Sequence, residues 1–174
     1  MQRIAVVIAV VALGATAYYA AHEGVITWTH DRNAKLASRA PSVTLVDLSG
    51  NSIDTSSYKG NVVLVNFWAA WCTPCADEVP KLIALQDKYR AQGLRVVGIS
   101  MDDSDTALRD FYRKYKMNYP VAAGDQKVVN AYGGILGLPT SLLISRDGII
   151  HEKHVGLADS SRLEQEIIAL LKAN

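Results

Sequence analysis

Residues 61–80 read NVVLVNFWAAWCTPCADEVP, and both cysteines of the chain, Cys72 and Cys75, stand in this one stretch. The run from Asn61 to Phe67 is apolar and β-branched and follows Gly60, the pattern of a central strand buried on both faces. Behind the cysteines, Val79, Leu82, Ile83 and Leu85 set a helical period that Gly93 can terminate. Pro80 lies inside that period and should bend the helix. The stretch therefore reads as a buried strand feeding a helix, with two thiols at the junction and Glu78 three residues behind the second.

The rest of the chain extends this alternation. SVTLVDL at 42–48 followed by SGNS reads as a strand and turn, and LRVVGIS at 94–100 as a second buried strand. Leu108, Phe111, Tyr112 and Tyr115 fall at i, i+3, i+4 and i+7, an amphipathic helix whose tyrosines read as packing. YPVAAG at 119–124 suggests a short strand and DQKVVNAYG at 125–133 a short helix. TSLLIS, RDG and IIHEKHV, at 140–155, form a hairpin around an Asp-Gly turn. The last segment has a capping box from Ser161 to Glu164, then Leu163, Ile167, Leu170 and Leu171 on one face. The fold class is α/β, with helices on both faces of a central mixed sheet.

With 174 residues the chain has room for one domain and one core. A formal net charge of +1 without long charged runs argues against nucleic acid as a partner. Apolar residues make up 49%, high for a soluble protein, and the N-terminus supplies the excess. Ile4 to Ala21 is uncharged and close to the ~20 residues of a spanning helix, which suits a signal anchor at 1–21. Ala15-Thr16-Ala17 also fits a cleavage site, so a cleaved signal peptide is the competing reading. Residues 22–40 are polar and mixed in charge, a juxtamembrane linker, and Pro41 opens a domain at 41–174. Flanking charge, with Arg3 before the apolar run and Arg32, Lys35 and Arg39 after it, does not orient the segment.

Three chemistries compete for the cysteine pair. Structural zinc needs four ligands, and His151 and His154 sit on a predicted strand where residues three apart face opposite ways. No metal site is expected. A disulfide closing so short a loop restrains little of the unfolded chain, so a structural staple is also disfavoured. The redox reading fits the local physics. Cys72 ends a strand at a helix start, where free N–H groups and the helix dipole favour a thiolate. Pro74 is tolerated in a first turn, and Cys75, one turn in, can resolve a mixed disulfide formed at Cys72.

SYKGNVVLVNFWAAWCTPCADEVP at 57–80, the GLPT at 137–140 and SLLISRDG at 141–148 resemble the extracytoplasmic reductases of the TlpA/ResA/CcmG kind, within the redoxin group. The resemblance runs from about Val43 to the C-terminus and includes the anchor. It implies a thioredoxin-like fold with an N-terminal transmembrane helix and the domain outside the cytoplasmic membrane, or a cleaved periplasmic form. It implies a cis peptide at Pro139 facing the cysteines, with the Leu138 backbone pairing an extended substrate segment. Trp71 reads as a rim residue that shields the thiols and contacts substrate.

Cytoplasmic thioredoxins carry a buried aspartate where this chain has Asn66, which cannot take a proton from Cys75. Relatives carry a glutamate at the place of Glu78, and burial would raise its proton affinity into a useful range. The alternative is a solvated first-turn glutamate. The resemblance implies a thiol:disulfide oxidoreductase acting as a reductase, with the Cys72–Cys75 pair and no other cofactor. Implied partners are disulfide-bearing proteins, such as apocytochrome c or copper-site proteins, and a membrane electron donor of the CcdA or DsbD type. An oxidase or isomerase, and an apo-protein chaperone or metallochaperone with secondary thiols, are the alternatives.

Overall fold

The computed structural model describes residues 38–102 and 104–173. The expected anchor and most of the linker lie outside them, and no helix among the described residues is long and apolar enough to cross a membrane.

A five-stranded mixed sheet carries the fold. Its strands are β3 (Val62–Trp68), β4 (Leu94–Ser100), β5 (Val121–Ala123), β6 (Thr140–Ile144) and β7 (Ile150–Val155), in the spatial order β5-β4-β3-β6-β7. β3, β4 and β5 are parallel, β6 runs against them, and β7, antiparallel to β6, runs in their direction again. β3 is buried at every position, as its unbroken apolar run requires of a central strand. A separate hairpin of β1 (Thr44–Val46) and β2 (Ser52–Asp54) precedes the sheet. The strand expected over 42–48 is shorter than its apolar pattern. Asp47 turns the chain back by accepting from the amides of Ser49 and Asn51, at 2.9 and 2.8 Å.

Among the described residues four α-helices flank the sheet: α1 (Thr73–Tyr89), α2 (Asp105–Tyr115), α3 (Gln126–Ala131) and α4 (Ser160–Lys172). One face buries Val79 and Leu82 of α1, Leu108 and Phe111 of α2, and Leu163 and Ile167 of α4. Tyr112 and Tyr115 pack partly buried against the same cluster. Val128 of α3 joins Leu45 and Ile53 of the hairpin on the other face. Helices thus cover both faces.

α1 continues through Pro80, which the sequence marks as a bend, and a 3-10 turn over Arg90–Gln92 extends it to Gly93. Gly93 ends that turn at φ 102, a left-handed conformation that glycine adopts without strain. Buried Gln86 of α1 gives its side-chain oxygen to the Val96 amide of β4 at 2.7 Å. β5 reaches only Gly98 to Ser100, so this bond satisfies a β4 donor beyond the end of the ladder.

The capping box expected from Ser161 to Glu164 is not formed. Asp159 is the cap of α4 and accepts from the Arg162 amide at 2.8 Å. Glu164 instead binds Lys88 and the Tyr89 hydroxyl of α1, at 2.8 and 2.6 Å. Aspartate one residue before the helix offers a better-placed acceptor than a serine already inside it.

At the end of the sheet opposite the cysteines, Arg146 donates to the carbonyls of Gly60, Gln92 and Leu171 at 2.8, 3.1 and 3.1 Å. It draws together the start of β3, the end of α1 and the end of α4. Residues 38–40, within the linker expected from sequence, pair with the β6–β7 turn. The Ala40 amide donates to Gly148 and the Ile150 amide to Ser38, at 2.8 and 2.9 Å.

Candidate active site

β3 delivers the chain to a tight turn in which the Cys72 amide donates to the Ala69 carbonyl at 3.1 Å. Cys72 has extended backbone and stands as the N-cap of α1, with Pro74 in the first turn. The amides of Cys75 and Ala76 both donate to the Cys72 carbonyl, at 3.1 and 3.2 Å. The Cys75 amide also points at the Cys72 Sγ, 3.3 Å away. The two cysteines are joined as a disulfide. Cys72 is 6% exposed and Cys75 1%, so Cys72 presents the more accessible sulfur. A thiolate at Cys72 would receive the helix N–H groups and the positive end of the dipole.

Asp102 fixes the turn from the side. Both its carboxylate oxygens accept from the Ala70 amide, at 3.0 and 2.9 Å, and one also accepts from the Ser100 hydroxyl at 2.8 Å. The sequence reading missed this clasp. Its signal was a polar Ser-x-Asp at the C-terminal end of a buried parallel strand, the end at which α/β sites are built.

Glu78 is only 2% exposed, which removes the solvated reading. It lies one turn beyond Cys75 in α1, a spacing that brings side chains about 5–6 Å apart at Cβ. Oε2 accepts from Asn66 Nδ2 at 2.8 Å, and Oε1 accepts from the Ala158 amide at 3.4 Å. Burial pushes the carboxyl above its ordinary range. The Ala158 and Asn66 hydrogen bonds and the charges of His154 and Lys81 pull the other way. Asn66 is fully buried and shares its amide with the Ser141 hydroxyl at 3.0 Å. Asn66 Oδ1 has no partner among the described residues. Gly98 on β4 lies opposite Asn66, and a Cβ there would meet Trp68 Nε1 and Val121 Cγ2 at 3.0 Å. Trp68 itself is fully buried as core, whereas Trp71 is 71% exposed beside the disulfide.

An open groove of about 570 Å³ adjoins the cysteines, lined among others by Trp71, Cys72, Pro74, Leu136 and Leu138. Leu136 is 92% exposed. Lys153 holds the groove's outer loop by donating to the Gly134 carbonyl at 2.7 Å, and Thr140 Oγ1 donates to Gly137 O at 2.6 Å. The Leu138–Pro139 bond is cis. The Pro139 carbonyl is taken by the Gly156 amide at 2.8 Å, while Leu138 makes no backbone hydrogen bond among the described residues. The expected site residues thus fall in two places. Trp71, Cys72 and Leu138 line the groove, with Pro139 next in the chain, while Cys75 and Glu78 lie beneath it. His151 is exposed, and His154 is bound to Glu166 at 2.8 Å.

The family model of the AhpC/TSA family matches residues 36–153. The thiol-disulfide oxidoreductase ResA of Bacillus subtilis (strain 168) is 32% identical over 153 residues, covering 87% of this chain and 82% of ResA. ResA of Bacillus anthracis is 35% identical over 131 residues, 75% of each chain. Among solved structures, a thiol:disulfide interchange protein of the thioredoxin family from Chlorobium tepidum TLS superposes with a TM-score of 0.73. It is 28% identical and covers 78% of this chain and 97% of its own.

Proposed function

Because the chain belongs to the AhpC/TSA family, and within it is a thiol-disulfide oxidoreductase of the ResA type, we propose that it acts as a reductase of protein disulfides outside the cytoplasmic membrane. The observation that carries this reading is the buried Glu78 carboxylate one turn behind Cys75, beneath a cysteine that caps a helix.

Cys72 thiolate attacks one sulfur of a substrate disulfide, forming a mixed disulfide and releasing the first substrate thiolate, which takes up a proton from water. The Cys75 thiol passes its proton to Glu78. Its thiolate attacks the Cys72 sulfur and expels the second substrate thiolate, which is protonated in turn. Two electrons and two protons reach the substrate, and the Cys72–Cys75 disulfide remains. Trp71, Leu138 and Pro139 seat the substrate as an extended segment, to which the Leu138 backbone offers strand-like hydrogen bonds. The electrons reside in the two thiols, and no further cofactor is assigned.

The segment at 1–21 holds the enzyme to the membrane, or is removed to leave a periplasmic form. A membrane dithiol donor of the CcdA or DsbD type reduces the pair again. Haem-attachment cysteines of apocytochrome c, or the cysteines of copper sites, are the proposed substrates.

Thiol trapping in cells tests the direction. The pair should be mainly reduced and become oxidised when the donor is removed; a pair that stays oxidised with the donor present identifies an oxidase. Cys75→Ser should accumulate mixed disulfides through Cys72, and accumulation only in Cys72→Ser would reverse the assignment.

A further inference from the structure

Asn66 on β3 lies opposite Ser141 on β6, and Ser141 opposite His154 on β7. Directly opposed residues point to the same side of a sheet, and successive strands are about 4.8 Å apart. The three side chains therefore form a polar row beneath α1 and α4, with His154 about 10 Å across the sheet from Asn66. The inner end of the row meets Glu78 of α1 through Asn66 Nδ2, at 2.8 Å. The outer end meets Glu166 of α4 through His154 Nε2, also at 2.8 Å. Both partners of that outer pair are mostly covered, with side chains 14% and 19% exposed. Arg162 closes the end of the row on Glu166 at 2.7 Å and approaches Glu152 at 3.9 Å.

We propose that His154 acts through Glu78, as a positioning residue for the thiol chemistry, its imidazolium steadying the Glu78 carboxylate across the sheet. The proposal rests on the reading of Glu78 as the proton partner of Cys75. The groups that face Glu78 leave this task to few others. β3 and β6 present the neutral Asn66 and Ser141, and the loop before α4 presents the Ala158 amide. Tyr119, before β5, is a buried phenol whose own ionisation burial and Glu78 oppose. Lys81, on the same helix, is exposed. His154 is the basic side chain on the same face of a nearby strand, and an imidazole can carry the charge. A charge in this covered position is less screened than one on the open surface. Glu166, Glu152 and Arg162 are the charged groups around His154 itself.

The consequence is a coupled pair. A thiolate forming at Cys75 drives Glu78 toward its protonated form, and a charged His154 resists that drive. Without the imidazole in this position, Glu78 would hold its proton more tightly.

The test is the carboxyl carbon resonance of Glu78 in the full-length reduced chain, followed against pH. His154→Gln should move the midpoint upward, and His154→Lys should bring it back down. Superimposable curves for the unaltered chain and His154→Gln would overturn the proposal. A His–Glu pair that only pins β7 to α4 would lower stability on substitution and leave the Glu78 titration where it is. If His154→Gln does not fold, linkage supplies the reciprocal experiment: Glu78→Gln should lower the midpoint of the His154 ring, and an unmoved ring overturns the idea. An upward Glu78 shift with an unchanged pH–rate profile upholds the coupling and removes instead the reading of Glu78 as proton partner.

Discussion

Glu78 is the residue where stability and the proposed chemistry pull in opposite directions. Burial raises its proton affinity in the folded chain, so its contribution to stability is fully present below the unfolded carboxylate value of 4.5 and is lost as pH rises through the folded value. Above that value the fold holds a carboxylate that burial disfavours. Glu78→Gln keeps the shape and can still accept from Asn66, so its thermal midpoint relative to the unaltered protein should rise with pH. The difference should be smallest near pH 4 and largest near pH 8, read by melting both oxidised proteins across that range. The same substitution should slow disulfide reduction by about 10–100-fold near neutrality, in keeping with loss of a proton-transfer group. Sequence alone separates the two roles of Glu78 poorly. A carboxylate in a first helical turn has the same spacing whether it faces water or Asn66, and Asn66 comes twelve residues earlier on another element.

Elements here are joined by polar side chains that bond backbone, and these leave little trace in a sequence pattern. Gln86 sits among the apolar positions of α1 and reads as a break in the hydrophobic face, yet it serves a β4 amide. Gln86→Leu should leave that amide buried and unpaired, at a cost of about 1–3 kcal/mol in urea unfolding. At α4, the Ser161–Glu164 spacing imitates a capping box while Asp159 makes the bond. Asp159→Ala should therefore cost about 1 kcal/mol, and Ser161→Ala should stay within about 0.5 kcal/mol. The reverse order of those two values in chemical denaturation would restore the box. Long elements were legible because their periods repeat: β3, β4, α1 and α2 all lie where their apolar spacing puts them. β2 is three residues long, too short for a period of two to declare itself.

Across the whole molecule, the alternation of strands and helices foretold a mixed sheet covered on both sides, and Trp-Cys-x-Pro-Cys stands at the end of the sheet that carries the disulfide and the groove. Contacts that span the chain were not foretold. Asp102 reaches back to Ala70, His154 reaches on to Glu166, and Arg146 gathers acceptors from positions 60, 92 and 171. The acceptors of Arg146 are carbonyls, which every residue carries, so nothing in the side chains at those positions marks them. Arg146→Met should cost about 1–2 kcal/mol, since three carbonyls, that of Leu171 partly buried and the other two exposed, lose a charged donor at once. Urea unfolding should show the loss at the same size in oxidised and reduced protein, because the clamp stands at the opposite end of the sheet from the thiols. That separation has a practical side. β3 spans about 23 Å from its first residue to the turn that bears Cys72. A fluorescent protein or affinity handle appended after Lys172 would start from a helix end already held by Arg146, leaving the groove beside Trp71 open to whatever disulfide it is offered.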